Sequence, residues 1–171
     1  MTAEPIISLE LLYIVIHFLI ILFIPISDPP ECSSYAKLNT ADRAAGRPRG
    51  NILKCDRNDF PSVAKWYRFE GDAGTRMPTS PVPVHHCGTH ATGWLNGRHP
   101  SKEDGSVKRQ VCFNWSGKHC RWSINVHVRN CGAFYVYHLG RTPGCSFRYC
   151  GNKGHSKFLY MLTLFTKVAF D

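Results

Sequence analysis

Apolar and polar positions are unevenly spread along the chain. Leu11 to Ile26 is nearly continuous hydrocarbon, LLYIVIHFLIILFIPI, with Glu4 and Glu10 ahead of it and no A-x-A-like cleavage site behind. The run is long for a signal-peptide core and short for a membrane span. Its uniformity leaves no solvent face for a buried soluble helix. Residues 1–27 are therefore expected to be a signal peptide or, if uncleaved, a signal anchor held by residues 11–26. Asp28-Pro29-Pro30 ends any helix and opens the mature chain.

Beyond residue 60 the apolar period becomes two. Trp122, Ile124, Val126 and Val128 fall on one face, with Ser123, Asn125, His127 and Arg129 on the other, predicting a strand over Trp122 to Arg129. Phe134 to Leu139, FYVYHL, predicts a strand buried on both faces. Phe113 to Trp115 and Phe147 to Tyr149 predict shorter ones. Trp66, Tyr67 and Phe69 form an aromatic run suited to a β-rich core. Gly71 and Gly74 then mark turns, and Pro78, Pro81 and Pro83 keep the chain extended up to Cys87. NTADRAAG predicts one or two helical turns, capped by Asn39 or Thr40 and stopped at Gly46. GRPRGN at 46–51 and NGRHPSKEDG at 96–105 read as loops. No amphipathic helix of normal length follows residue 50.

The hydrophobic tail from Lys157, KFLYMLTLFTKVAFD, is either an added strand or an appendage of unknown role. The expected organisation is a leader over 1–27, an extracellular domain over 28–152 and the tail over 153–171.

Eight cysteines, Cys32, Cys55, Cys87, Cys112, Cys120, Cys131, Cys145 and Cys150, lie in the middle of the chain without any CxxC pair. Behind an apolar N-terminus this predicts a disulfide framework formed in the secretory pathway rather than a zinc ribbon. Spacing does not choose among the 105 pairings that eight cysteines allow. The expected class is a small, mainly β domain with at most one or two short helices and four disulfides. The charge is +9 overall, and Glu4 and Glu10 in a leader without Lys or Arg leave +11 on the remainder. Such a surface suits anionic glycans, acidic proteins or headgroups, while the oxidising compartment argues against nucleic acid.

The phrases WYRFEGDAGTRMP, VPVHHCGTHATGWLNGRHP, VKRQVCFNWSGKHCRWS and VRNCGAFYVYHL resemble the eight-cysteine domain family of uromodulin, the pancreatic zymogen-granule membrane glycoprotein and the oncoprotein-induced transcript protein. The resemblance runs from about Glu31 to Gly151. It implies pairs Cys32–Cys131, Cys55–Cys145, Cys87–Cys150 and Cys112–Cys120. The family's ten-cysteine members carry a further pair, whose positions are Pro81 and His119 here. It also implies a secreted or membrane-anchored, non-catalytic recognition domain. Some members present mannose-rich glycans as decoys for bacterial adhesins. This chain has Asn96-Gly97-Arg98 and Tyr137-His138-Leu139-Gly140 where those members carry sequons, which counts against a decoy role.

Asn114-Trp115-Ser116 is the only sequon and the candidate glycosylation site. His85, His86 and His90 around Cys87, with His99 and His119, raise a metal hypothesis, but Cys87 is expected to be oxidised and no familiar ligand spacing is present. No metal, cofactor or catalytic residue is expected: the acids Asp56, Asp59, Glu70, Asp72, Glu103 and Asp104 form no evident acid–base pair, and no GxSxG or phosphate loop occurs. Trp66, Trp94, Trp115, Trp122, Tyr135 and Tyr137 are read as core before sugar-stacking platforms. The expected function is extracellular recognition of a protein or glycan of unknown identity, with membrane contact only through an uncleaved leader. The alternatives are a small basic effector acting on membranes or microbes, and the glycan-presenting decoy.

Overall fold

The computed structural model describes residues 9–22 and 28–152; the tail lies outside them. Helix α1, Leu9–Leu22, lies in the apolar segment ahead of Asp28, and its side chains from Leu9 to Phe18 are exposed. No helix among the described residues is long and apolar enough to cross a membrane. The domain is a seven-stranded sheet built from β1 (Ala36–Leu38), β2 (Lys65–Phe69), β3 (Ala91–Asn96), β4 (Ser106–Trp115), β5 (Lys118–Asn130), β6 (Tyr135–Leu139) and β7 (Phe147–Tyr149). Two four-residue helices, α2 (Pro30–Ser33) and α3 (Asp56–Asp59), complete it with two 3-10 turns.

The strand order is β1-β2-β6-β5-β4-β3-β7. The four central pairings are antiparallel, whereas β1 on β2 and β7 on β3 are parallel at the two edges. Hairpins join β3 to β4, β4 to β5 and β5 to β6, the topology that short turns permit. The parallel edge strands need long crossovers, and disulfides hold those crossovers down.

Register sets one face of the sheet against the core. Val111 opposite Ile124, Phe113 opposite Trp122, Val107 opposite Val128 and Val128 opposite Tyr137 stack in rows across β4, β5 and β6. Tyr67, Phe69, Leu95, Leu139 and Tyr149 extend this face to both sides. Burying side chains of this size stabilises by about 2 kcal/mol each before conformational entropy is charged.

The alternation predicted over Trp122 to Arg129 is that of β5, and FYVYHL is β6 with Val136, Tyr137 and Leu139 buried. Trp122 departs from the expected burial. It sits at the far end of the core face, where it meets the Phe147 ring edge to face at 4.9 Å and stays 39% exposed. NTADRAAG forms only a 3-10 turn over Ala41–Arg43, with no side-chain cap. The chain straightens there because Ala45 N–H donates to Gly151 O and Gly151 N–H donates to Arg43 O, a bridge a second helical turn would break. Gly71 and Gly74 have φ of 58° and 99°, as the turn requires. A Cβ on Gly74 would collide with the backbone of Asn152, so the 71–76 loop is clamped onto the end of the domain.

Candidate functional site

The cysteines define the frame. Disulfides join Cys32 to Cys131, Cys55 to Cys145, Cys87 to Cys150 and Cys112 to Cys120, and no described cysteine is free. The first ties α2 to the turn between β5 and β6. The second ties the start of α3 to the loop before β7. The third pins the proline-rich segment to the end of β7. The fourth closes the tip of the β4–β5 hairpin. Cys87, Cys112 and Cys150 pack with Val82 and Trp94 into a second small core on the opposite side of the sheet. Trp94 Nε1 donates to His119 O at 2.8 Å there, so the neighbourhood of Pro81 and His119 is held by packing and this bond.

A buried ion cluster lies beneath the Cys87–Cys150 end. Asp56, fully buried, accepts both Arg43 guanidinium nitrogens at 2.7 and 2.9 Å and the Tyr149 N–H at 2.8 Å. Arg148 Nε lies 3.6 Å from the same carboxylate, and its Nη1 donates to Cys87 O at 3.0 Å and pairs with Asp42 at 3.1 Å. Burial pushes the Asp42 carboxyl up, but hydrogen bonds from Thr40 and Arg148 outweigh it and hold the group below its ordinary value. Two arginines and two aspartates neutralise one another, and every contact ends on the domain's own backbone or side chains. This is a cross-brace between the Ala41–Arg43 turn, α3 and β7. In the sequence Asp56 is one of several scattered acids, because its partners lie far away in the chain.

The sequence candidates separate in space. Asn114 is 7% exposed and its Nδ2, the atom a glycan would modify, donates to Val82 O at 2.8 Å. Thr92, its register partner, donates Oγ1 to the same carbonyl at 2.7 Å. The folded domain therefore presents no free acceptor amide in its sequon. His86 Nδ1 sits 3.1 Å from Val84 O, and His99 Nε2 sits 2.7 Å from the Tyr137 hydroxyl. Burial first, then Arg76 and Arg109, push His99 down to about 4. His85 and His90 meet edge to face at 5.1 Å over Trp115. No group of three or more potential metal ligands forms among the described residues. Tyr137 and Trp94 are buried, while Trp66, Trp115 and Tyr135 are half-buried.

What remains open is the middle of the sheet face turned away from the main core. Its ends are covered by the Cys87 cluster at β3 and by α2 at β5, where Arg129 bonds Glu31. Between them Trp66, His138, His127 and Lys108 stand in one register row across β2, β6, β5 and β4. Asn125, Gln110 and Asn96 form the next row, tied as Asn96 Nδ2 to Gln110 Oε1 at 2.8 Å and Gln110 Nε2 to Ser123 Oγ at 3.0 Å. A shallow cleft of about 400 Å³ opens beside the first row, lined by Tyr35, Ala36, Lys65, Trp66 and His138. Asn96 and His138, the two positions compared above with sequons, are both on this face. The strands that place them are the ones that bury β4 and β5 on their other side.

Residues 67–151 match the family described as the uromodulin-like D-eight-C domain. The pancreatic secretory granule membrane major glycoprotein GP2 of Canis lupus familiaris is 43% identical over 120 residues, covering 70% of this chain and 23% of that protein. The GP2 of Homo sapiens is 41% identical over 120 residues, 70% and 21% of the two chains. Uromodulin of Mus musculus is 49% identical over 86 residues, 50% of this chain and 13% of the relative. The chain thus corresponds to less than a quarter of these relatives' lengths.

Proposed function

Since the chain belongs to the uromodulin-like eight-cysteine family through residues 67–151, we propose that its extracellular, disulfide-rich domain is a non-catalytic recognition module that contacts its partner through the open sheet face. The observation that carries this reading is the row Trp66, His138, His127 and Lys108 beside the Asn125, Gln110 and Asn96 row. A solvated β-face held rigid by its own core offers preorganised donors, an aromatic edge and a cleft at small entropic cost. Lys37 and Arg68 on the same side are matched by Glu70, and Arg129 by Glu31, whereas Lys108 has no acidic partner among the described residues. That charge pattern favours an acidic partner, and a sulfated or uronic-acid glycan is the first class to test.

The direct experiment measures retention of the secreted chain on immobilised heparin against a neutral mannose-rich glycan. The reading expects salt-sensitive retention on heparin only, weakened about fivefold by Lys108→Glu. Retention that Lys108→Glu leaves unchanged would move the contact surface elsewhere. Leakage of anionic liposomes would favour the effector alternative. The buried amide of Asn114 gives no support to the decoy alternative.

A further inference from the structure

We infer that His127 and His138 form a two-imidazole binding site for a borderline divalent cation, copper(II) ahead of zinc or nickel. The two residues are register partners on adjacent antiparallel strands, so their side chains leave the same face directly opposite each other. Their ring centres are 6.4 Å apart. His127 is exposed and His138 half-buried, and neither ring makes a hydrogen bond within the described domain. Both are thus open to a ligand from solvent. Imidazole is the side chain that suits copper and zinc, and copper(II) heads the affinity order of first-row divalent ions.

Ring nitrogens bind such ions at about 2.0–2.1 Å, which brings the centres of two ligating rings to about 5 Å. Closing the observed gap takes a side-chain rotation of exposed His127 and no strand movement. Trp66 flanks His138 on its other side, ring centres 5.1 Å apart, and limits where that imidazole can turn. The strands themselves are fixed, because β5 and β6 lie inside the sheet with Val128 and Tyr137 buried beneath. No third His, Cys, Asp or Glu among the described residues joins the pair, so water fills the remaining positions. Lys108 faces His127 in the next strand and opposes a cation. Its exposed ammonium has a long stem on which to turn away.

The competing pair is His85 and His90, whose ring centres are closer at 5.1 Å. Those rings pack edge to face and both contact Trp115, so ligation there would cost that packing. Burial, with Arg49 and His85, also disfavours positive charge at His90.

The test is a copper(II) titration of the secreted, oxidised chain at about pH 7.4. Affinity is read by electron paramagnetic resonance and proximity by tryptophan fluorescence. The site predicts one equivalent bound, quenching that Trp66→Phe largely removes without loss of affinity, and a drop of about tenfold or more in affinity for His127→Asn or His138→Asn. Lys108→Ala should tighten binding by about threefold. The double variant His85→Asn/His90→Asn should bind as the parent does. Affinity unchanged in His127→Asn and His138→Asn, affinity lost in the His85/His90 variant, or no binding at all would each overturn the site. The titration contains no glycan, so its outcome is independent of the recognition reading above.

Discussion

At the scale of single residues, three polar groups, Asp56 and Asn114 buried and His99 half-buried, behave in ways their sequence neighbours do not announce. Asp56 has no exposed surface and serves Arg43, Arg148 and the Tyr149 N–H together. Asp56→Asn keeps its shape but leaves the buried Arg43 guanidinium without a counter-charge and Arg148 with Asp42 alone. It should destabilise the domain by about 3–5 kcal/mol in urea unfolding, whereas Asp59→Asn, on the same short helix and exposed, should change little. His99 is held neutral against Tyr137, with its folded value near 4 against an ordinary 6.5. The depressed value means that the unfolded chain binds the proton first. Stability from this group is therefore complete above pH 6.5 and declines as pH falls to about 4, with a limiting slope of about 1.4 kcal/mol per pH unit. Unfolding measured across that window should show the slope in the parent and a flatter profile in His99→Gln. Asn114 spends its amide on Val82. Treating the secreted protein with an N-glycosidase should leave its mass unchanged, and Asn114→Ala should cost about 1–2 kcal/mol by removing a donor from a buried carbonyl. A mass loss of one oligosaccharide would contradict this placement.

At the scale of elements, the hydrophobic period revealed what it physically encodes. β5 and β6 were legible because Val126 and Val128 alternate with polar residues and because Tyr135 to Leu139 is bulky throughout. β1 and β3, and the first half of β4, left weaker traces. Ala36 to Leu38 is too short to show a period. In β3, Gly93 replaces a core side chain because a Cβ there would meet Arg148 O at 2.7 Å and the Phe113 ring at 2.9 Å. The first half of β4, Ser106 to Gln110, is polar on both faces apart from Val107, and is a strand because β5 pairs with it residue for residue. Gly93→Ala should therefore destabilise by more than the usual strand penalty, about 2 kcal/mol or above in thermal unfolding, since backbone lies on one side and Phe113 on the other. The open face was hidden for a related reason. Trp66, Lys108, His127 and His138 are scattered in sequence, and only register gathers them. The histidines that sequence proximity does bring together, around Cys87, spend themselves on local contacts.

At the scale of the whole molecule, the fold is a modest core with distant segments bound to it. Parallel edges β1 and β7 cannot be placed by hairpins, and the Cys32–Cys131, Cys55–Cys145 and Cys87–Cys150 bridges, with sequence separations of 99, 90 and 63, fasten the chain around them. Each loop of that length stabilises by about 4–5 kcal/mol in the chain-entropy picture, and the Cys112–Cys120 loop by about 2–3. Overlapping loops do not add, but the ordering stands. The number of cysteines announced such a framework, while the spacing was silent on partners. Pairing follows from which strands become neighbours in the sheet, a long-range property. The same logic separates the two sides of the sheet. One side and its edges are consumed by packing and cross-links, and the other keeps a polar middle available for contact.

The most direct test of this account is a peptide map of the secreted protein, digested without reduction and read by mass spectrometry. The account predicts four cross-linked peptide pairs, Cys32 with Cys131, Cys55 with Cys145, Cys87 with Cys150 and Cys112 with Cys120, and no free thiol. Free sulfhydryls in the native protein, or a local bridge between Cys32 and Cys55, would contradict it.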